Sequence, residues 1–386
     1  MSDWFDDGLK HVRLPNGRTL AVEHTEGCRI VLAEGKTLVD GDAARGTAVH
    51  GRNHPCIRAA IEAQAARLPQ AASDGLLHEQ AASLAARLCA MLPGRMERVV
   101  FSRSVSLDAA RQMAVRFWAS RGEATRTRLL TFNGAALRAP DAAVIDLPRD
   151  EKTTAGFEAC LGHHAGVLAA IVVEPMVQGM AGMVFHDEDT LKRVAIAAGK
   201  YGLLLVLDET FTGFGRTGAM FACEAAGVVP DIMMIGGALT GATLPLAATA
   251  ASGRVCGGFP SGDFAFAGEP DASACAAADA GLDLFERERR LLEANEIGKK
   301  MAIALGRLLG APGVTDVRVR GGIGVVQLDR IADRDALAAR FAELGCWIRP
   351  WRDVVTLTPA LTIGDEDLEK LTSTIVSMLG GKKPSL

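Results

Sequence analysis

The 386-residue sequence predicts an α/β protein: a mostly parallel sheet with helices on both faces, followed by a smaller α+β lobe. Three observations predict it. Apolar runs of strand length alternate with amphipathic stretches through the middle of the chain. Near Gly281 the pattern gives way to a charged helix and short strands. The apolar runs also end on Ser102, Asn133, Glu174, Asp208 and Gly236, at the carboxyl edge where such sheets collect ligands.

The predicted strands cover residues 98–101, 129–132, 143–145, 167–173, 203–207, 232–235 and 246–251. Between them, Ser104 is placed to cap a helix ending at Gly122. Its Ala109, Met113 and Phe117 form one stripe, and Ala110, Ala114 and Trp118 the next. Asp187 starts a second helix, with Leu191, Val194 and Ala198 toward the sheet and Gly202 beyond its end. The later lobe is read as one long helix over residues 282–309, strands at 317–319, 325–328, 347–349 and 354–358, and a last helix from Asp365. Short strands at 19–23 and 29–32 are expected to join it. The division is therefore 1–45 as an N-terminal segment of the small domain, 46–281 as the large domain and 282–386 as the small domain.

Composition narrows the function. The formal net charge of −4, with acids and bases interspersed, leaves no basic stripe for nucleic acid. The apolar runs fall far short of the roughly 20 residues that cross a bilayer, and the N-terminus lacks the basic start and apolar stretch of a signal peptide. A cytoplasmic protein acting on a small molecule is expected. The eight cysteines are scattered singly, without CxxC pairs or histidines at ligand spacing, so neither a disulfide scaffold nor a metal site is expected.

The stretch LLLVLDETFTGFGRTGAMFACEAAGVVPDIMMIGGALTGATLPLAATAAS, residues 203–252, closely resembles the class III aminotransferases, and within them the branch that serves biotin synthesis. VDGDAARGTAVHGRNHP (39–55), VVEPMVQGMAGM (172–183) and CWIRP (346–350) extend the resemblance over nearly the whole chain. It implies a fold-type I subunit working as a homodimer on pyridoxal phosphate. In that chemistry a lysine holds the cofactor as a Schiff base and moves the substrate proton, while an aspartate keeps the pyridine nitrogen protonated. Asp208 matches the aspartate. The lysine of the pattern Asp-Ile-x-x-x-Gly-Lys-Ala-Leu falls on Gly237, and no lysine occurs between Lys200 and Lys299.

Other positions depart from the family as well. Arg103-Ser104 stands where a Gly-Ser pair offers bare amides to the cofactor phosphate, and Ala135-Ala136-Leu137 stands where a Tyr-His-Gly stacks on the ring. Arg45 and Gly46 replace paired tryptophans near the substrate, and no threonine occurs at 264–268 to reach the phosphate from the neighbouring subunit. Arg349 matches the arginine that grips a substrate carboxylate. Glu174 and Glu209, beside Asp208 at strand ends, are candidate acids or bases with Asp208 itself, and Arg349, Arg103, Ser104 and Arg45 are candidate substrate contacts. His50 and His54 in HGRNHP, and Arg216 in GFGRTG, are read as architectural.

These departures predict that pyridoxal phosphate binding is lost and that the pocket serves a small carboxylate- or amine-bearing metabolite without a cofactor. Two other readings stand beside it: a non-catalytic pseudoenzyme partnering an active paralogue, and a biotin-pathway type class III aminotransferase with an altered lysine.

Overall fold

A computed structural model describes residues 20–68, 78–105, 107–137, 139–257 and 270–381. Strands β1 (Val22–Glu26), β2 (Arg29–Leu32) and β3 (Thr37–Asp40) form an antiparallel ladder. There follow β4 (Met96–Ser102), β5 (Arg128–Phe132), β6 (Ala143–Ile145), β7 (Leu168–Val173), the two-residue hairpin β8 (Val177–Gln178) and β9 (Val184–Phe185), then β10 (Leu204–Asp208), β11 (Ile232–Ile235) and β12 (Ala247–Ser252). The later part holds β13 (Val314–Arg320), β14 (Ile323–Leu328), β15 (Cys346–Trp347), β16 (Pro350–Trp351) and β17 (Val354–Leu357).

Seven strands make the main sheet in the order β4-β12-β11-β10-β7-β5-β6, and β12 runs antiparallel to both of its neighbours. The sequence shows why the centre reads as unbroken apolar runs. Every residue of β7, β10 and β11 is buried, because helices cover both faces. Side chains alternate between two cores with the period of a strand. Leu205, Leu207, Met233 and Ile235 meet Leu191 and Val194 of the helix Glu188–Lys200, whereas Leu204, Val206, Ile232 and Met234 meet Met113 and Phe117 of the helix Leu107–Ala119. Each such leucine contributes about 1.5–3 kcal/mol by burial. Asp187 caps the helix Glu188–Lys200 by accepting from the Thr190 amide at 2.8 Å, as its position predicts.

Three expectations are corrected. The helix on the other face begins at Leu107, not after Ser104. The Ser102 hydroxyl donates to the Ser104 carbonyl at 2.9 Å and holds that segment as a turn before the helix. The single helix of 282–309 is two, Ala272–Arg287 and Arg290–Leu305, with a 3₁₀ turn after them. The break at Glu288, which is extended (φ −122°, ψ 158°), lets Arg290 turn inward, where it is buried against Glu288, Glu293 and His50. The strand of 347–349 is split as well. Cys346–Trp347 pairs with β3 and Pro350–Trp351 with β17, so the chain crosses from one sheet to another between them. Part of the expected strand 19–23 lies outside the described residues, and β1 runs Val22–Glu26.

The third core joins Met301 and Leu305 to Val326, Phe341, Ile348, Leu357, Leu371 and Ile375, the last two from the helix Asp365–Leu379. Among the described residues no helix is long and apolar enough to cross a membrane.

Candidate active site

The parallel strands bring the ends of β5, β7, β10 and β11 to one edge of the sheet. Leu207 pairs with Val173 and Asp208 with Met234, so Glu174 follows directly beside Asp208, and Gly236 and Gly237 continue on its other side. Residues far apart in sequence thus meet because their strands are parallel neighbours.

Asp208 is buried at 3% exposure. Its Oδ1 accepts from the Thr210 amide at 3.1 Å and from the Thr210 hydroxyl at 2.6 Å. Its second oxygen takes no hydrogen bond and no ion pair among the described residues. Burial raises its pKa, and the two Thr210 bonds oppose the shift only in part. The Asp-x-Thr spacing is the signal that identifies Thr210, an Asx-type bond two residues on.

Glu174 is held by backbone. One oxygen accepts from the Ala136 amide at 2.9 Å and the other from the Gly179 amide at 3.1 Å. Burial first, and the charge of Asp208 second, push its pKa up to about 7. His186 closes the back of this corner by donating through Nε2 to the Glu174 carbonyl at 2.9 Å, and burial lowers its pKa. Glu209 alternates to the other side of the strand end. The Thr212 hydroxyl and the Cys223 amide occupy its two oxygens, anchoring the following loop, and burial raises its pKa to about 7.

Gly237 lies against Thr47: an ideal Cβ there meets Thr47 Cγ2 at 3.1 Å. Thr47 ends a left-handed turn, with Ala43, Ala44, Arg45 and Gly46 all at positive φ (41°, 53°, 57° and 79°). Three of these are not glycine, at a cost of about 1 kcal/mol or more each. Buried Arg216 holds the turn in place. Nε and Nη2 donate to the Gly46 carbonyl at 3.1 and 2.7 Å, while Nη1 donates to the Gly322 and Pro359 carbonyls at 3.0 and 2.7 Å. Asp40 and Asp42 help by accepting from the Ala43 and Arg45 amides. Thr47 carried no signal in the sequence, since its partner is 190 residues away.

The candidate substrate contacts sit outside this buried corner. Arg45 and Arg349 are exposed, and neither has an ion pair among the described residues. Both adjoin Asp42, which accepts the Arg45 amide and whose carboxyl feels the charge of Arg349. Arg103 and Ser104 are exposed in the turn after β4. The expected gap at 264–268 lies outside the described residues.

The class III aminotransferase family model matches residues 14–137 and 135–379. An adenosylmethionine-8-amino-7-oxononanoate aminotransferase of Mycobacterium leprae is 34% identical over 91% of this chain and 88% of that protein. An amine transaminase from an uncultivated Pseudomonas species, solved in its PLP-bound form, is 26% identical, with a TM-score of 0.85 over 96% of this chain and 99% of that one. An (S)-enantioselective omega-transaminase of Thermomicrobium roseum superimposes with a TM-score of 0.88 over 98% of both chains at 24% identity. The fold is that of the fold-type I aminotransferases.

These findings overturn the expectation that the cofactor is lost. The family and its PLP-bound relative point to pyridoxal phosphate, and they favour the altered-lysine biotin-pathway reading over the cofactor-independent and pseudoenzyme readings. Asp208 fits a pyridine nitrogen, being a buried acid with one oxygen unclaimed and no cation beside it. Among the described residues no amine is placed for a covalent hold. Lys36, Lys192, Lys200, Lys299 and Lys300 bond surface partners, Lys152 is exposed and Lys370 lies against Gly345. Lys10, Lys382 and Lys383 fall outside the described residues.

Proposed function

Because this chain belongs to the class III aminotransferases, we propose that it is a pyridoxal-phosphate-dependent aminotransferase of the biotin-pathway type, with a glycine in place of the lysine. The observation that carries this reading is Asp208, a buried acid with one oxygen unclaimed at the carboxyl edge of a sheet of this family. When bound, pyridoxal phosphate would supply an electron sink for charge that develops beside the amine carbon. Asp208 keeps a proton on the ring nitrogen. Glu174, with a pKa near neutrality, sets the charge of the wall next to it. Arg349 receives the substrate carboxylate through its planar fork, and Arg45 adds a second cation at the same mouth. We propose a homodimer, as the resemblance implies. No side-chain amine at 237 moves the substrate proton, so turnover is slow.

The test uses adenosylmethionine as amino donor and 8-amino-7-oxononanoate as acceptor, the pair named for the relative. Equilibrium dialysis is expected to show cofactor retained by the wild type and at least tenfold weaker retention by Asp208→Asn, with turnover raised at least a hundredfold in Gly237→Lys. Absence of any cofactor binding to the folded wild type would sink the reading.

A further inference from the structure

We propose that a cavity between the helix Pro55–Arg67 and the turn at 241–243 binds the phosphate group of a small phosphate ester, at a site separate from the Asp208 pocket. Its described lining includes none of Asp208, Glu174, Gly237 and Arg349, so the inference stands apart from the aminotransferase reading.

The first observation is charge. The cavity holds about 330 Å³, within the roughly 300–1,000 Å³ that ligand pockets occupy. Arg52, His54 and Arg58 line it, and no acid is among its described lining residues, although acids outnumber Lys and Arg in the chain by 46 to 42. A neighbouring cavity that shares His54 differs. Glu26 and Asp367 line it, and its arginine, Arg29, is held by Asp367 at 3.0 Å. The same stretch of chain thus walls two cavities, and only the first selects an anion.

The second observation is that each basic group keeps a donor to spend. The Arg52 side chain is 24% exposed. Its backbone is pinned by paired hydrogen bonds with Gly27, and its Nε donates to Asp40 at 2.6 Å. That bond orients the guanidinium and leaves both terminal nitrogens unclaimed among the described residues. His54 caps the helix, its Nδ1 accepting from the Cys56 amide at 3.3 Å, so the neutral ring carries its proton on Nε2 and can donate there. Arg58 meets Glu62, one turn on, at 3.6 Å, with both side chains more than half exposed. Such a pair is worth little and yields to a ligand. Asn53, and Thr25 from β1, add neutral polar groups. The polar groups come from three elements: the segment before the helix, the helix itself and β1. Partners on several sides suit a tetrahedral phosphate, whose oxygens point several ways, better than a planar carboxylate gripped along one edge. Ala48 and Ile61 supply an apolar stretch of wall for the carbon part of an ester.

The experiment is titration calorimetry of the purified full chain in chloride buffer, with glycerol phosphate, inorganic phosphate and succinate titrated separately. Glycerol phosphate is expected to bind at one site per chain, inorganic phosphate no more tightly, and succinate about fivefold or more weaker. Arg58→Gln should weaken the ester about fivefold. Ala242→Asp sets a carboxylate in the lining at φ 61°, a left-handed position that Asp adopts more readily than Ala. It should weaken the ester about tenfold or more, by placing like charge against the anion, while the neutral Ala242→Asn binds as wild type. Asp208→Asn should also leave ester binding unchanged, and a thermal melt of each variant shows that it is folded. No binding to the wild type, or wild-type binding in both Arg58→Gln and Ala242→Asp, overturns the site. Loss of ester binding in Asp208→Asn moves the ester to the other pocket and overturns it too. Equal affinity for succinate overturns the assignment to phosphate, and tighter binding of inorganic phosphate overturns the ester.

Discussion

Thr47 occupies the space that a side chain at Gly237 would enter. An ideal Cβ on Gly237 lies 3.1 Å from Thr47 Cγ2 and 3.3 Å from its Cβ, although Thr47 precedes every strand of the large sheet and Gly237 follows β11. The contact is tight without being closed, and the φ of Gly237 is outside the left-handed region. A side chain at 237 therefore needs Thr47 to give by a few tenths of an ångström, while the backbone itself admits it.

Gly237→Lys alone is expected to cost about 1–2 kcal/mol of stability through overpacking. Thr47→Ala also loses the hydroxyl bond to the Ala44 carbonyl, at 2.7 Å. In a double-mutant cycle read by urea unfolding, the two substitutions should couple favourably by about 1 kcal/mol. Simple additivity would mean that the contact does not decide what fits at 237.

Removal of the Arg216 guanidinium strands three buried carbonyls, those of Gly46, Gly322 and Pro359. Part of that loss is offset, because a buried cation at a pKa lowered to about 10 by desolvation no longer has to be kept. Arg216→Met is expected to cost about 2–4 kcal/mol, with faster amide exchange at residues 43–47. A change within about 0.5 kcal/mol of wild type would contradict the role given to this side chain.

Glu174 predicts a pH dependence of definite sign. Its carboxyl holds a proton to about pH 7 in the folded protein, whereas the ordinary value is 4.5. The folded state therefore binds more protons between those values, and the contribution to stability is full below pH 4.5 and is lost as pH rises toward 7. Glu174→Gln does not titrate. Between pH 4.5 and 7.5 the stability difference should move in the variant's favour by up to about 3 kcal/mol. Urea unfolding at several pH values reads it, with Glu209 cancelling between the two proteins. A constant difference would show that Glu174 is not shifted.

Arg349 is exposed and unpaired among the described residues, so Arg349→Ala should leave stability within about 0.5 kcal/mol. Binding of an amino acid substrate analogue should fall about 10- to 100-fold, as expected for a charge-assisted bond of about 1.5–3 kcal/mol. The methyl ester of the same analogue should be little affected. Equal losses for acid and ester would assign Arg349 to something other than a carboxylate.

Much of the fold was legible because its signals are local. Strands β7, β10 and β11 are covered on both faces and read as apolar runs, and Asp187 caps its helix with a side chain two or three residues from its target. Where the decision was made elsewhere, local reading failed. Glu288 and Arg289 are ordinary helix residues, and the break between the two helices serves Arg290, which turns in to meet His50, 240 residues away. Ser104 has the chemistry of a cap, yet Ser102 draws its carbonyl into a turn and the helix starts later.

The candidate site divides in the same way. Composition and motif alone determined which family the chain resembles, that Asp208 ends an apolar strand, and that no amine stands at 237. The sequence also lacks the family's aromatic platform and phosphate cradle, yet the loss of cofactor that this predicts is overturned by the family match and the PLP-bound relative. Only the tertiary structure decided that Asp208 keeps an oxygen free while Glu209 spends both of its own, that burial first and the charge of Asp208 second raise Glu174, and that Thr47 faces Gly237. The reason is physical: side-chain type is written residue by residue, but burial, charge neighbours and unclaimed lone pairs belong to pairs of residues that the chain crossovers bring together.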